Sequence, residues 1–177
     1  MVHQAASDNL KPMRRPILIL LLLSSYNLAK AQMQSPDTTA MYFLIHASIG
    51  NLQEIAAGKL AMAQGNSPEV RAFGKMMVAD QGKAEGQLLA LAKAQHIDLP
   101  SAATDTSVPE LNLEKATGAK FDQLYVHNVV PGHRKTVMMF RDYGITGKNL
   151  AAKAFATATL PTLKEHLANI ITIDKNL

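Results

Sequence analysis

The chain of 177 residues contains no cysteine and no tryptophan. Without cysteine it can form no disulfide, carries no thiol nucleophile and offers no thiolate to a metal. Any ion would have to be held by histidine, carboxylate or amide oxygen. Aromatic residues make up 5% and charged residues 18%, yet 47% of the chain is hydrophobic, which places it among globular rather than disordered proteins. There is no sustained period-two alternation and no hairpin dipeptide between β-branched runs, so nothing argues for strands. No glycine-rich phosphate loop is present, and no serine has a histidine and an acid recognisably arranged around it. Nine methionines suggest an adaptable core.

The N-terminus reads as a secretory leader. Lys11, Arg14 and Arg15 precede the apolar run Ile17 to Leu23, which is far too short to span a bilayer. A polar stretch and Ala29-Lys30-Ala31 follow, a pattern that predicts cleavage after Ala31 and export. Met13 would serve equally as the start. The expected organisation is a signal peptide over 1–31, a short tail over 32–36 and one domain over 37–177. The leader holds Lys11, Arg14, Arg15 and Lys30 against Asp8, so most of the formal charge of +4 belongs to it. The remainder is close to neutral and has no Lys/Arg cluster, which makes nucleic acid a poor partner. No transmembrane helix is expected after residue 31.

Four helical segments follow. Asp37 can cap a first helix to about Gln64, with an apolar stripe of Met41, Ile45, Ile49, Leu52, Ala56, Leu60 and Ala63. Gly65-Asn66 ends it. Ser67-Pro68-Glu69 opens the second with an N-cap, a proline at the first position and an acid in the first turn. The second helix runs to about Gln95, its stripe being Val70, Phe73, Met77, Ala84, Leu88, Leu91 and Gln95, interrupted by Gln81. The segment HIDLPSAATDTSVPE reads as a long crossover loop. A third helix is expected over about Leu111 to Tyr143, with Gly118 splitting off its beginning and Pro131 kinking or breaking it. After a turn at Gly144 to Gly147, a fourth starts near Lys148 and is kinked or restarted at Pro161. Two antiparallel pairs joined by one long crossover predict an all-α four-helix bundle of ferritin-like connectivity, with kinked third and fourth helices.

The blocks NLQEIAAGKLAMAQGNSPEVRAFGKMMVADQGKA, GAKFDQLYVHNVVPGHRKTV and KAFATATLPTLKEHL resemble the domain-of-unknown-function family numbered 4142. The resemblance covers about Met41 to Ile170. It implies a ferritin-like helical bundle in the bacterial envelope, often labelled an outer-membrane protein, and implies no reaction. The family pattern has Asp-His where this chain has Asp80-Gln81, while its other polar marks stand as Glu54, His133 and His166. The missing imidazole at Gln81 weakens any metal site carried over from the family.

Those four residues are the candidate site. Gln81 lies within the second helix's stripe. His133 lies with Val126, Val130, Val137 and Phe140, and His166 with Phe155, Thr159, Thr162, Ile170 and Ile173. Glu54 sits opposite the expected stripe of its helix, on a second face of small residues with Phe43, Ala47, Gly50, Ala57 and Ala61. Asp80 and Glu85 are expected at a solvated edge, and His46, His96 and His127 off the inward faces. A carboxylate–imidazole cluster could hold iron, manganese or zinc. Three facts favour buried, hydrogen-bonded polar groups instead. Glu54, Glu85 and Glu165 lack a histidine three residues on, so the di-iron Glu-x-x-His motif is absent. Gln81 is a weak ligand. His133 lies about 12 residues before the Gly144–Gly147 turn and His166 about 20 after it, a height mismatch of roughly 12 Å at 1.5 Å per residue. The sequence therefore points first to an exported, non-enzymatic bundle with a structural or stress-related role or an envelope or outer-membrane partner. Tyr42, Phe43 and the Met62 region are its candidate exposed patch. A bundle binding a divalent metal through Glu54, Gln81, His133 and His166 is the alternative, and a small-ligand carrier a third.

Overall fold

The computed structural model describes residues 37–100 and 113–177. The expected leader, the tail and residues 101–112 of the crossover lie outside them. Asp37–Leu177 forms one compact unit of four helices: α1 over Thr38–Gln64, α2 over Pro68–Ala94, α3 over Gly118–Thr146 and α4 over Leu150–Asn176. Among the described residues no strand occurs, and no helix is long and apolar enough to cross a membrane.

Each start has a physical cause. The Asp37 carboxylate accepts the Thr39 and Ala40 N–H groups at 3.0 and 3.3 Å, and the Ser67 hydroxyl accepts the Val70 N–H at 3.0 Å ahead of Pro68. The Asn149 side chain accepts the Ala152 N–H at 3.0 Å. Gly118, at φ +61°, is in the left-handed region that favours glycine, and it separates a 3₁₀ turn at Leu113–Lys115 from α3. The third helix thus begins later than the expected Leu111 and runs through Gly144 to Thr146, so the turn falls at 147–149. Neither proline breaks its helix: α3 is continuous through Pro131 and α4 through Pro161.

Contacts at the two ends fix the connectivity. At one end, the Asp122 carboxylate of α3 accepts the backbone N–H groups of Asn66 and Ser67 at 2.8 and 2.7 Å, tying the α1–α2 turn to the start of α3. At the other, the amides of Gln95 and Asn149 exchange hydrogen bonds of 3.2 and 2.7 Å, tying the end of α2 to the start of α4. The chain therefore returns the length of the bundle between α2 and α3. α1 packs on α2 and α3, and α4 packs on α3 and α2. The helix order and these end contacts are consistent with a single-crossover, ferritin-like arrangement.

The α2 stripe is as expected over Val70, Phe73, Met77, Gln81, Ala84 and Leu88, all buried. The face of α1 is not. Its buried residues are Ala40, Phe43, Leu44, Ala47, Ser48, Asn51, Ala57, Gly58 and Ala61, while Met41 and Ala63 of the expected stripe are exposed. α1 is apolar on both sides, so periodicity could not choose between them, and the polar Ser48, Asn51 and Glu54 argued for the wrong one. Phe43, expected in a surface patch, is 1% exposed and stacked on Tyr143 at 4.1 Å; Tyr42 remains 63% exposed. Close approach settles the face. A Cβ added at Gly74 would lie 2.7 Å from the Gly58 carbonyl oxygen and 2.7 Å from the Ala61 Cβ. The helices touch backbone to backbone there.

The core is in two parts. One holds Phe43, Leu44, Leu88, Phe140 and Leu163. The other holds Val70, Phe73, Met77, Phe121, Tyr125 and Ile170. Along every helix polar residues stand between these parts: Ser48, Asn51 and Glu54; Gln81 and Glu85, with Ala84; His133; His166.

Gly74→Ala should lower stability by about 1–3 kcal/mol through overpacking, although alanine is worth about 1 kcal/mol more than glycine inside a helix. Gly82, with open space around its Cβ position, is the control, and Gly82→Ala should raise stability by about 0.5–1 kcal/mol. Urea denaturation of both variants decides the matter. A gain at Gly74 like that at Gly82 would contradict the close crossing.

Candidate metal centre

The middle polar layer draws side chains from all four helices. On α2, Gln81 Nε2 donates to Glu54 Oε2 of α1 at 2.7 Å. Glu54 Oε1 lies 3.2 Å from His133 Nδ1 of α3. That same nitrogen is 3.2 Å from the Val129 carbonyl oxygen. A carbonyl can only accept, so the proton of the neutral ring sits on Nδ1 and Nε2 carries the lone pair. His166 Nε2 of α4 is 2.9 Å from Asp80 Oδ2 of α2. Against a carboxylate this nitrogen is the donor, which leaves the lone pair on Nδ1. His133 Nε2 and His166 Nδ1 are both buried and, like the Tyr125 and Tyr143 hydroxyls, have no hydrogen-bond partner. The two rings lie 5.9 Å apart, centroid to centroid, at 70°.

The expected height mismatch does not exist. His133 lies 13 residues before the end of α3 at Thr146, and His166 lies 16 after the start of α4 at Leu150. Three residues of difference is ~4.5 Å of rise. The error came from ending α3 at Tyr143 and starting α4 near Lys148.

All four expected residues are therefore brought together, but as two hydrogen-bonded sets rather than as four converging ligands. Among the described residues no three His, Asp or Glu side chains could jointly hold a metal ion. Asp80 accepts from the His166 ring N–H and Glu54 from the Gln81 amide, while the His133 ring N–H goes to the Val129 carbonyl beside Glu54. Asp80 was expected at a solvated edge; it is 43% exposed but orients His166. Glu85, expected beside it, is buried, accepting from the Ser48 hydroxyl at 2.5 Å and the Asn51 amide at 3.1 Å. Tyr125, which the sequence reading did not single out, lies close enough to Glu54 for the carboxylate charge to join burial in pushing its hydroxyl pKa up. The signals that could have found Asp80 and Glu85 were the polar Ser48 and Asn51 on α1 and the neighbouring stripe position Gln81. His46, His96 and His127 are exposed, as expected.

Burial dominates the electrostatics. It pushes the Glu54 carboxyl up to about 7, against the opposing pull of the Gln81 hydrogen bond. It pushes His133 down to about 4, against the Val129 carbonyl. His133 is 0% exposed and is a neutral imidazole at pH 7. A groove of about 490 Å³ between α2 and α4, lined by Asp80, Gln81, Ala84, Phe155, Thr162 and His166, connects the layer to solvent.

Fold and site define a helical-bundle protein with a buried centre of two histidines, one held by a carboxylate and the other by a backbone carbonyl beside a carboxylate. The sequence profile described as Domain of unknown function (DUF4142) matches residues 26–173, and the chain belongs to that family. Solved structures of CopM are similar in fold. The Cu(II)-bound form has a TM-score of 0.65 at 12% identity, with 77% of this chain and 96% of that chain covered. The apo form has a TM-score of 0.64 at 14% identity over the same shares. An Ag-bound form obtained by co-crystallization has 0.63 at 15%, again over the same shares. No curated protein sequence matches this chain.

Glu54 and His133 titrate in opposite senses. Between pH 4.5 and 7 the folded protein keeps a Glu54 proton that the unfolded chain releases, so this group stabilises the fold as pH falls. Between pH 6.5 and 4 the unfolded chain protonates the histidine and the folded protein does not, so His133 destabilises the fold as pH falls. The wild type should change little across their shared window. Glu54→Gln removes the first term, and its stability should fall relative to wild type from pH 7 to pH 4.5 by up to about 3 kcal/mol. A wild-type-minus-variant difference independent of pH would contradict the assignment.

Proposed function

We propose that this protein is an exported helical bundle that binds a transition-metal ion at its middle layer, holding the ion rather than performing chemistry on a substrate. The observation that carries the reading is the pair of buried, unpartnered nitrogens, His133 Nε2 and His166 Nδ1, on rings 5.9 Å apart. An unsatisfied buried polar atom costs about 1–3 kcal/mol, and a native fold bears such a cost where a ligand repays it. His166 donates its other N–H to the Asp80 carboxylate and His133 donates its other N–H to the Val129 carbonyl beside Glu54, the outer-shell arrangement that fixes the tautomer of a metal-binding histidine. The residues present thus fit an ion bound by imidazole. Copper and silver binding by CopM, a protein of the same fold, supports the reading. Export rests on the leader pattern of residues 1–31.

Protein purified without a metal-binding tag should take up one equivalent of ion per chain, from a panel of copper, silver, zinc, manganese and iron salts, and melt at a higher temperature with it. His133→Leu and His166→Leu should each lose the ion. Each should retain wild-type helicity and equal or greater stability without metal, because an apolar residue replaces an unpartnered nitrogen. Elemental analysis and thermal melts give both readouts. No stoichiometric uptake of any of these ions, or uptake unchanged in both variants, would leave a bundle whose polar layer is purely structural.

A further inference from the structure

Resting on the metal-binding reading, we propose that the His133–His166 pair is a two-nitrogen site for a soft monovalent cation, Cu(I) or Ag(I). In this proposal Asp80 is its positioning residue at the mouth of the α2–α4 groove. The donor count is the first reason. Two ring lone pairs are free, while Glu54 accepts from Gln81 and Asp80 accepts from His166, and among the described residues no third His, Asp or Glu is placed to join them in holding an ion. A divalent first-row ion asks for about four ligands or more. The rings are instead flanked by apolar groups. Phe73 meets His133 with centroids 6.0 Å apart, and Leu163 and Ile170 lie one turn either side of His166 on the buried face of α4. A filled-shell monovalent ion is satisfied by two donors.

Spacing is the second reason. Two imidazole nitrogens each about 2 Å from a shared ion stand about 4 Å apart, which rings 5.9 Å apart between centroids can provide without moving their helices. Charge is the third. Moving an ion from water into an apolar interior costs free energy that rises steeply with its charge, and a single positive charge needs only the two carboxylates already beyond the rings. The route inward passes Asp80. This residue is half exposed in the groove and holds the one histidine that lines it, so it sets the His166 tautomer that an arriving ion meets.

The test titrates the full chain with Ag(I), with Cu(I) against a competing chelator, and with Zn(II). Long-range ¹H–¹⁵N spectra follow the imidazole nitrogens, and ¹³C spectra the methionine methyls. The expected result is 1:1 binding of Ag(I) and Cu(I) with shifts at His133 Nε2 and His166 Nδ1, and Zn(II) weaker by at least about a hundredfold. Asp80→Asn should weaken Ag(I) by about 10–100-fold while keeping the 1:1 ratio. Rescue by Asp80→Glu would separate positioning from mere folding. Zn(II) binding as tightly at the same nitrogens overturns this proposal and leaves the metal-binding reading intact. Ag(I) shifting methionine methyls instead of the two nitrogens overturns it as well. If no ion binds, both readings fall.

Discussion

The fold depends on a polar layer that crosses the middle of the bundle, where its carboxylates and amides must find their partners. Glu85 takes Ser48 and Asn51, Gln81 takes Glu54, Glu54 faces His133, and Asp80 takes His166. These contacts tie α1 to α2, α1 to α3 and α2 to α4, the pairs that need a common height. The apolar halves on either side would tolerate some sliding, because hydrophobic packing is forgiving of shape when volume is kept. The polar layer would not. A slip of one turn, about 5.4 Å, would leave Glu85 or Gln81 facing leucine or phenylalanine, at about 1–3 kcal/mol for each unpaired group and more for a charged one. The ends repeat the device with the Asp122 clamp and the Gln95–Asn149 pair.

How much of this the sequence shows depends on how one-sided each helix is. α2 has charged and polar residues filling one face, so its stripe names its core. Its N-terminus is legible in Ser67-Pro68-Glu69 because capping chemistry is local. α1 offers apolar residues on both faces, and its true inward face carries the more polar set. Only the tertiary demands of Glu85 and Gln81, and the glycine crossing at Gly58 and Gly74, decide between them. A buried carboxylate is rarely expected from one sequence, since it is an unfavourable placement until its partners are known. That is why Glu85 read as surface.

The candidate site was legible as residues and not as geometry. Gln81, His133 and His166 each stand where an apolar side chain would continue a buried face, and all three are buried. What failed was a distance built on helix ends. Boundaries are the least certain part of a sequence reading, and three residues at the end of α3 with two at the start of α4 were enough to separate two rings that in fact are neighbours. Asp80 was missed for a different reason: it sits at the rim and acts across helices, so no pattern within α2 reveals its partner.

The centre also shapes how the bundle trades stability for binding. Two unpartnered nitrogens cost about 1–3 kcal/mol each, a substantial share of the roughly 5–15 kcal/mol that holds a domain of this size together. Leucine at both positions would make a more stable bundle that binds nothing. An ion present at about a hundred times its dissociation constant returns about 2.7 kcal/mol, of the order of the sum lost. Because Asp80 and the Val129 carbonyl already orient the rings, little of the binding energy would go into rearranging side chains. The same layer that fixes the height of the four helices thereby holds two lone pairs ready, and register and binding are consequences of one arrangement.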